Sequence, residues 1–257
     1  SKTSSLNIDN WIVKDKKIYN LKKAFFSIIP FEFKINNKKW YQPLIIQKEV
    51  GILGILKKKL KDEDYYLLQA KVEPGNSSGI QLSPTIQATK SNYLRKHGGK
   101  KTNYLNFFTK KNKKNRVLSN FRLSEQGTRY LNKSNRNILI DLNKQKIKKL
   151  NNFIWVNKKN LKYLLNKKNL LNMDTISVIS CSIKKNKFDK PFNQFSNLLN
   201  IIKKVKIKTK VFKKIISFNE LKSWKIFQDR IFDTKKKFFS ILFLNIKSNS
   251  REVNQWS

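Results

Sequence analysis

One passage of this chain lacks the positive charge that saturates the rest. No Lys or Arg occurs between Val72 and Thr89, and from Gln81 onward polar and apolar residues alternate: Gln81, Ser83, Thr85, Gln87 and Thr89 against Leu82, Pro84, Ile86 and Ala88. Read as a strand, that period puts a row of neutral hydrogen-bonding groups on one face. Such a row fits the lining of a cleft for a polyhydroxylated or amide-bearing ligand, and it equally fits the polar face of an ordinary surface strand. His97, the single histidine, follows closely and stands beside Gly98-Gly99. Its ring titrates near neutrality, so it suits either giving or taking a proton.

Composition narrows the chemistry. The chain of 257 residues is long enough to bury a substantial core. One cysteine, Cys181, allows no internal disulfide, and one cysteine with one histidine cannot assemble a Cys/His zinc site. A reducing compartment and a metal-free chemistry are the expectation. With no charged-then-apolar leader and no run of about 18 apolar residues, the expected location is the cytoplasm, with no membrane partner. A formal charge of +41 would ordinarily point to nucleic acid. Only seven of the 57 basic residues are Arg, however, and the Lys comes with a flood of Asn and Ile, the signature of A/T-rich coding. Arg is the better bidentate reader of phosphate and bases, so no specific nucleic-acid partner is expected.

The elements that must position these residues begin as closely spaced strands. Phe31 to Ile35 alternates and Asn36-Asn37 supplies a turn. Leu44 to Ile46, Gly51 to Leu56 and Tyr65 to Val72 read as further strands, with a charged hairpin tip at Lys61 to Asp64. Glu73-Pro74-Gly75-Asn76 closes the run with turn residues. Beyond the Gln81 strand, Asn92 to Arg95, Tyr104 to Phe108 and Leu161 to Leu165 suit helices, Lys110 to Lys114 a loop, and Ile138 to Ile140 a buried strand. Intermixed strands and helices predict an α+β fold with a mixed sheet.

The last third echoes the first. Trp11 and Trp224 each stand fourteen residues ahead of Phe-Phe-Ser-Ile, at Phe25 to Ile28 and Phe238 to Ile241. After a short length difference Trp40 finds a counterpart in Trp256. The expected organisation is a first module over 1–183, a basic helical linker over 184–217, and over 218–257 the opening of a second copy that the chain does not complete.

Long strings in this sequence resemble the NDP-hexose 2,3-dehydratase family: Trp40-Tyr41-Gln42-Pro43, Gln69 to Asn76, Gln81 to Thr89 with Ser91-Asn92-Tyr93, His97-Gly98-Gly99, Ser124 to Gly127, Asn135-Arg136-Asn137 and Asn172 to Thr175. The resemblance runs over roughly residues 8–183. It implies two similar modules of Nudix-like topology, a homodimer, and action on dTDP-4-keto-6-deoxyglucose without metal or redox cofactor. The clustered glutamates of Nudix hydrolases are absent, which argues against pyrophosphate hydrolysis. This chain carries one module and a fragment, so a non-catalytic nucleotide-sugar-binding module stands beside the dehydratase as the alternative.

Elimination of water next to a 4-keto group needs a base for the acidified C3 proton, an acid for the departing C2 hydroxyl and support for the enolate oxygen. Within the matching strings the titratable residues are Glu73, Tyr93, His97, Glu125, Tyr130 and Asp174. Among these, His97, Glu125, Glu73 and Tyr93 are the catalytic candidates, each with a plain structural alternative such as a turn or a helix cap. For the dTDP-4-keto-6-deoxy sugar, Arg129 and Arg136 are the natural diphosphate clamps, although Arg136 could equally pair with Asp141. Trp40, Tyr41 or Tyr93 could stack on thymine. Gln42, Gln81, Ser83, Thr85, Gln87, Thr89, Asn92, Asn137 and Asp174 complete the expected substrate-binding set, and the tail beyond Phe218 is expected to pack back as an added strand or to mediate the dimer.

Overall fold

A computed structural model describes residues 10–21, 26–73, 76, 79–95, 101–110, 114–182, 199–205, 211–227, 230–235, 239–248 and 251–256. The strands in chain order are β1 (Trp11–Lys14), β2 (Lys17–Asn20), β3 (Ser27–Ile35), β4 (Lys38–Ile46), β5 (Gly51–Leu60), β6 (Glu63–Val72), β7 (Ile80–Ser83) and β8 (Ile86–Ala88). Helices α1 (Lys90–Tyr93) and α2 (Leu105–Thr109) follow, then β9 (Arg116–Ser124), β10 (Ser134–Asp141), β11 (Phe153–Asn157), α3 (Lys158–Leu165) and α4 (Met173–Cys181). The remainder is β12 (Val211–Ile215), β13 (Trp224–Phe227), β14 (Arg230–Asp233), β15 (Ile241–Ser248) and β16 (Arg251–Trp256). The fold is α+β, as the mixed pattern predicts, and β9 and β11 are strands the sequence reading did not anticipate. Contacts divide the chain into two compact units, one of residues 1–47, 127–131 and 185–257, the other of residues 48–126 and 132–184.

The second unit is built on a sheet of order β11-β6-β5-β10-β9, in which β10 runs parallel to β5 and the other neighbours are antiparallel. The β5–β6 hairpin turns at Lys61 and Asp62, both at positive φ. It holds together only from Leu56↔Leu67 to Leu60↔Glu63; beyond that the strands part, β6 pairing with β7 and β5 with β8. The uncharged passage is therefore two short strands that fill a fork, with the break at Pro84, which cannot donate to a ladder. Each face of the sheet carries a core. Ile52, Leu56, Ile138 and Ile140 pack with Phe108 of α2, and Gly54 is required there because a Cβ would meet the Phe108 ring at 2.2 Å. Leu53, Ile55, Leu68 and Leu139 pack on the other face with Leu161 of α3 and Val178 of α4. Both helices begin at an Asn N-cap: Asn157 accepts from the Asn160 amide at 2.8 Å and Asn172 from that of Thr175 at 2.9 Å.

The first unit contains the repeat. Trp11 pairs with Asn20 as Trp224 pairs with Asp233, Ile18 with Ile28 as Ile231 with Ile241, and Ile35 with Lys38 as Ser248 with Arg251, every position displaced by 213. Two copies of one antiparallel meander thus share a register, and Trp11, Ile18, Ile28, Trp224, Ile231 and Ile241 are buried in one cluster. The register corrects one expected equivalence. Val253, opposite Ile246, takes the place of Trp40 opposite Phe33, whereas Trp256 occupies the position of Pro43. Nor is the tail an added strand on β3; that edge is taken by β12, with Val211 opposite Ile35.

Candidate functional site

The fork in the sheet decides what the uncharged passage does. Where β5 and β6 part, side-chain hydroxyls bond the Leu67 and Gln69 carbonyls and the Leu56 N–H, and buried backbone groups need partners. Thr85 supplies two at once: its hydroxyl donates to the Leu67 carbonyl and accepts from the Leu56 N–H at 3.0 Å. Ser83 donates to the Gln69 carbonyl at 3.2 Å. With Ser83 0% and Thr85 2% exposed, both hydroxyls bind the fork together rather than line a cleft. Gln81 donates to the Asn169 carbonyl at 3.2 Å, and the Thr89 hydroxyl meets that of Ser91 at 3.1 Å.

Gln87 joins a different network. Its amide donates to Glu73 Oε1 at 3.1 Å and accepts from the Asn172 side-chain amide at 3.1 Å, while Lys71 donates to the same Glu73 oxygen at 2.8 Å. Asn172 is the cap of α4, so this chain of bonds ties the end of β6 to the helix whose first turn carries Asp174. Across the parallel pair, Asn135 accepts from the Gly51 N–H at 3.2 Å and donates to Glu125 Oε1. Gly51 must be glycine for this, since a Cβ would sit 2.5 Å from Asn135 Oδ1.

Glu125 and Asn135 line a cavity of about 120 Å³ together with Leu53, Asn137, Asp174 and Ser177 among others. Asn137 is 1% exposed, and among the described residues its Oδ1 has no hydrogen-bond partner. The electrostatics are lopsided. Burial first, then the charges of Glu125 and Glu73, push the Asp174 carboxyl up to about 6, against a smaller opposing pull from Lys71. The amide dipoles at the start of α4 act the other way and are outweighed. Lys133, 5% exposed, donates to the Glu49 carbonyl at 2.5 Å; burial lowers its pKa, and Glu125 and Glu49 partly restore it. A carboxyl whose pKa is raised toward neutrality thus stands beside another that carries a specific donor, an arrangement suited to proton exchange. Among the described residues no group of His, Cys, Asp and Glu could hold a metal ion, and no helix is long and apolar enough to cross a membrane.

Of the residues the sequence singled out, Glu73, Gln87, Glu125, Asn137 and Asp174 come together here. Arg136 does not: it projects from β10 on the opposite face, donates to Asn120 Oδ1 at 3.4 Å and lines a separate cavity of about 420 Å³ with Phe107, Phe108 and Ile138. Asp141 pairs with Lys57 and Arg116 instead of Arg136. Tyr93 packs against the core on that opposite face, and Asn92 is exposed. In the first unit Trp40 stacks on Phe33 at 5.2 Å and donates to Gln42 Oε1 at 3.0 Å, Gln42 donates to the Thr128 carbonyl at 2.8 Å, and Arg129 is exposed. His97 lies outside the described residues. Asn135, Asn172 and Lys133 were not chosen from sequence. Asn172 had a readable signal as a helix cap ahead of an apolar run, and Asn135 shares a strand face with Asn137.

The sequence profile described as NDP-hexose 2,3-dehydratase matches residues 2–182 and 195–257. Among curated proteins, a dTDP-4-dehydro-6-deoxy-alpha-D-glucopyranose 2,3-dehydratase of Streptomyces violaceoruber is 34% identical over 228 residues, covering 85% of this chain and 51% of its own length. Enzymes of the same name from Saccharopolyspora spinosa and Amycolatopsis orientalis are 30% and 31% identical, covering 85% and 86% of this chain and 49% and 46% of themselves. The chain spans about half the length of the curated relatives it matches. With the profile extending over nearly all of it, the chain belongs to the NDP-hexose 2,3-dehydratase family.

Proposed function

We propose that this chain removes water across C2–C3 of dTDP-4-keto-6-deoxyglucose, with Glu125 as base and Asp174 as acid. The observation that carries the reading is the pairing itself: Asp174, buried beside Glu125 and Glu73, has its pKa raised to about 6, where it exchanges a proton readily, and Glu125 accepts from Asn135. Glu125 takes the C3 proton, whose acidity comes from the neighbouring carbonyl, and the enolate expels the C2 hydroxyl as water with the Asp174 proton. The resulting enol becomes the 3,4-diketo-2,6-dideoxy sugar when Glu125 returns its proton to C2 and the C3 hydroxyl proton passes to Asp174. Both carboxyls are then restored. Asn137 Oδ1, buried and without a partner among the described residues, is an acceptor for a sugar hydroxyl. The cavity of about 120 Å³ is small beside ordinary ligand pockets, and in this reading it admits the reacting edge of the sugar.

The same reading places the protein in the cytoplasm as a homodimer, gives the first module, over 1–183, a Nudix-like mixed sheet with flanking helices, and treats 218–257 as the start of a second. The half-length span relative to the relatives favours one further reading, a module that binds the nucleotide sugar without turning it over. Incubation with dTDP-4-keto-6-deoxyglucose followed by mass spectrometry separates the two. Loss of water identifies the dehydratase, and saturable binding without that loss identifies the binding module.

A further inference from the structure

We propose that Asn135 is the positioning residue for Glu125, an inference that rests on the acid and base reading above. The Asn135 amide is held at both ends. Its oxygen accepts from the Gly51 N–H at 3.2 Å, which fixes which way the amide faces, and its nitrogen then has to donate to Glu125 Oε1. Asn135 is buried and sits in the parallel register directly opposite Gly51, so the backbone of β5 and β10 sets the donor's place. Glu125 itself comes from the end of β9, where its N–H donates to the Lys133 carbonyl at 2.9 Å, and its neighbours Ser124 and Gln126 are exposed. Among the described residues, Asn135 is the side chain that donates to Glu125 and so selects one rotamer of its carboxylate. With Oε1 engaged, Oε2 is the oxygen that receives a proton.

The charged groups around Glu125 are Asp174 on α4 and Lys133 before β10; Glu73 and Glu49 act on those two in turn. A neutral donor in their midst orients Glu125 without adding charge. An aspartate at the same place would add a like charge beside it and make Glu125 harder to ionise.

The test uses the full chain and three variants: Asn135→Ala, Asn135→Asp and Gly51→Ala, the last displacing the amide without altering either carboxyl. Titration of ¹³C-labelled Glu carboxyls by NMR, read without substrate, is expected to show the Glu125 midpoint rise in Asn135→Asp. Turnover in Asn135→Ala and Gly51→Ala is expected to fall about 10- to 100-fold with KM within about three-fold, the pattern of a lost transition-state orientation. Unchanged turnover in both, or an unmoved Glu125 titration in Asn135→Asp, overturns the inference while leaving Glu125 as base. If Glu125→Gln is itself fully active, the acid and base reading fails first. If one variant fails to fold, the other two carry the test, and loss of thermal stability with an unaltered Glu125 titration marks Asn135 as merely structural.

Discussion

Two groups of ionisable side chains lie on one face of the second unit's sheet, at opposite ends of β10. At the far end Lys57 is bracketed by Asp64 at 2.5 Å and Asp141 at 3.4 Å, with Arg116 4.0 Å from Asp141. At the near end Glu125, Asp174 and Glu73 gather with Lys71 bonded to Glu73 and with Lys133 donating to a backbone carbonyl. Six steps of about 3.3 Å each lead from Asn135 to Asp141, so the groups sit roughly 20 Å apart on the same scaffold. The first is charge-matched: burial alone would lower the Lys57 pKa, and Asp64 and Asp141 reverse it to a net rise. The second is frustrated, and its tension appears as a carboxyl held protonated near pH 6. Matched charges fasten strands, whereas a sheet tolerates unmatched ones where a ligand or a reaction uses them.

The comparison breaks most visibly under substitution. Glu125→Gln and Asp174→Asn are each expected to lower kcat by about 10²–10⁴, with the fold intact by circular dichroism. Asp141→Asn should do the opposite, leaving kcat unchanged while costing about 1–3 kcal/mol in urea denaturation, because Lys57 loses one of its two anions. If Asp141→Asn abolishes turnover, or both near-end variants keep it, the assignment of function to the frustrated cluster is wrong.

That cluster was half legible in the sequence. Glu73, Gln87, Glu125 and Asp174 lie in strings up to about a hundred residues apart that carry the family resemblance, and the fold brings them to one end of one sheet. Alternation misled at two points. The Gln81 to Thr89 pattern is the same for one strand with a polar face as for two strands broken at Pro84, and only the pairing partners reveal that Ser83 and Thr85 satisfy the fork. Arg136 and Asn137 were placed in one pocket although neighbours in a strand face opposite sides, and the structure separates them by the thickness of the sheet. Asn135 was hidden by abundance: in a chain so rich in Asn, its role depends on Gly51 across a parallel pair, a contact that local pattern does not encode.

A second effect is thermodynamic and smaller. Asp174 has its folded pKa raised from 3.8 to about 6, so the native state binds a proton more tightly than the unfolded chain. The stability this confers is complete below about pH 4 and is lost as pH rises through 6. Asn at this position is neutral at every pH. The advantage of Asp174→Asn over the wild type should therefore be smallest near pH 4 and grow by about 1–3 kcal/mol by pH 7. Paired urea titrations at both values measure it. An advantage that shrinks with rising pH would mean that Asp174 is stabilised as an anion.

The smallest expected effect sharpens the comparison by making the near end still less balanced. Lys71 lies 2.8 Å from Glu73 Oε1 and, among the described residues, is the cation that lowers the Asp174 pKa. Lys71 and Glu73 are each about 30% exposed, so solvent screens the interaction and limits what its removal can do. In Lys71→Met the Glu73 carboxylate keeps the Gln87 amide as a donor, retains its charge, and acts on Asp174 without its counter-ion. The Asp174 midpoint, followed by ¹³C NMR, should rise by a few tenths of a pH unit, about the size of a screened surface pair. The basic limb of the activity profile should move up with it, since a higher pKa keeps the acid protonated to higher pH. A midpoint that stays put would show that Glu73 and Asp174 are insulated from one another, and that burial with Glu125 alone holds the proton on Asp174.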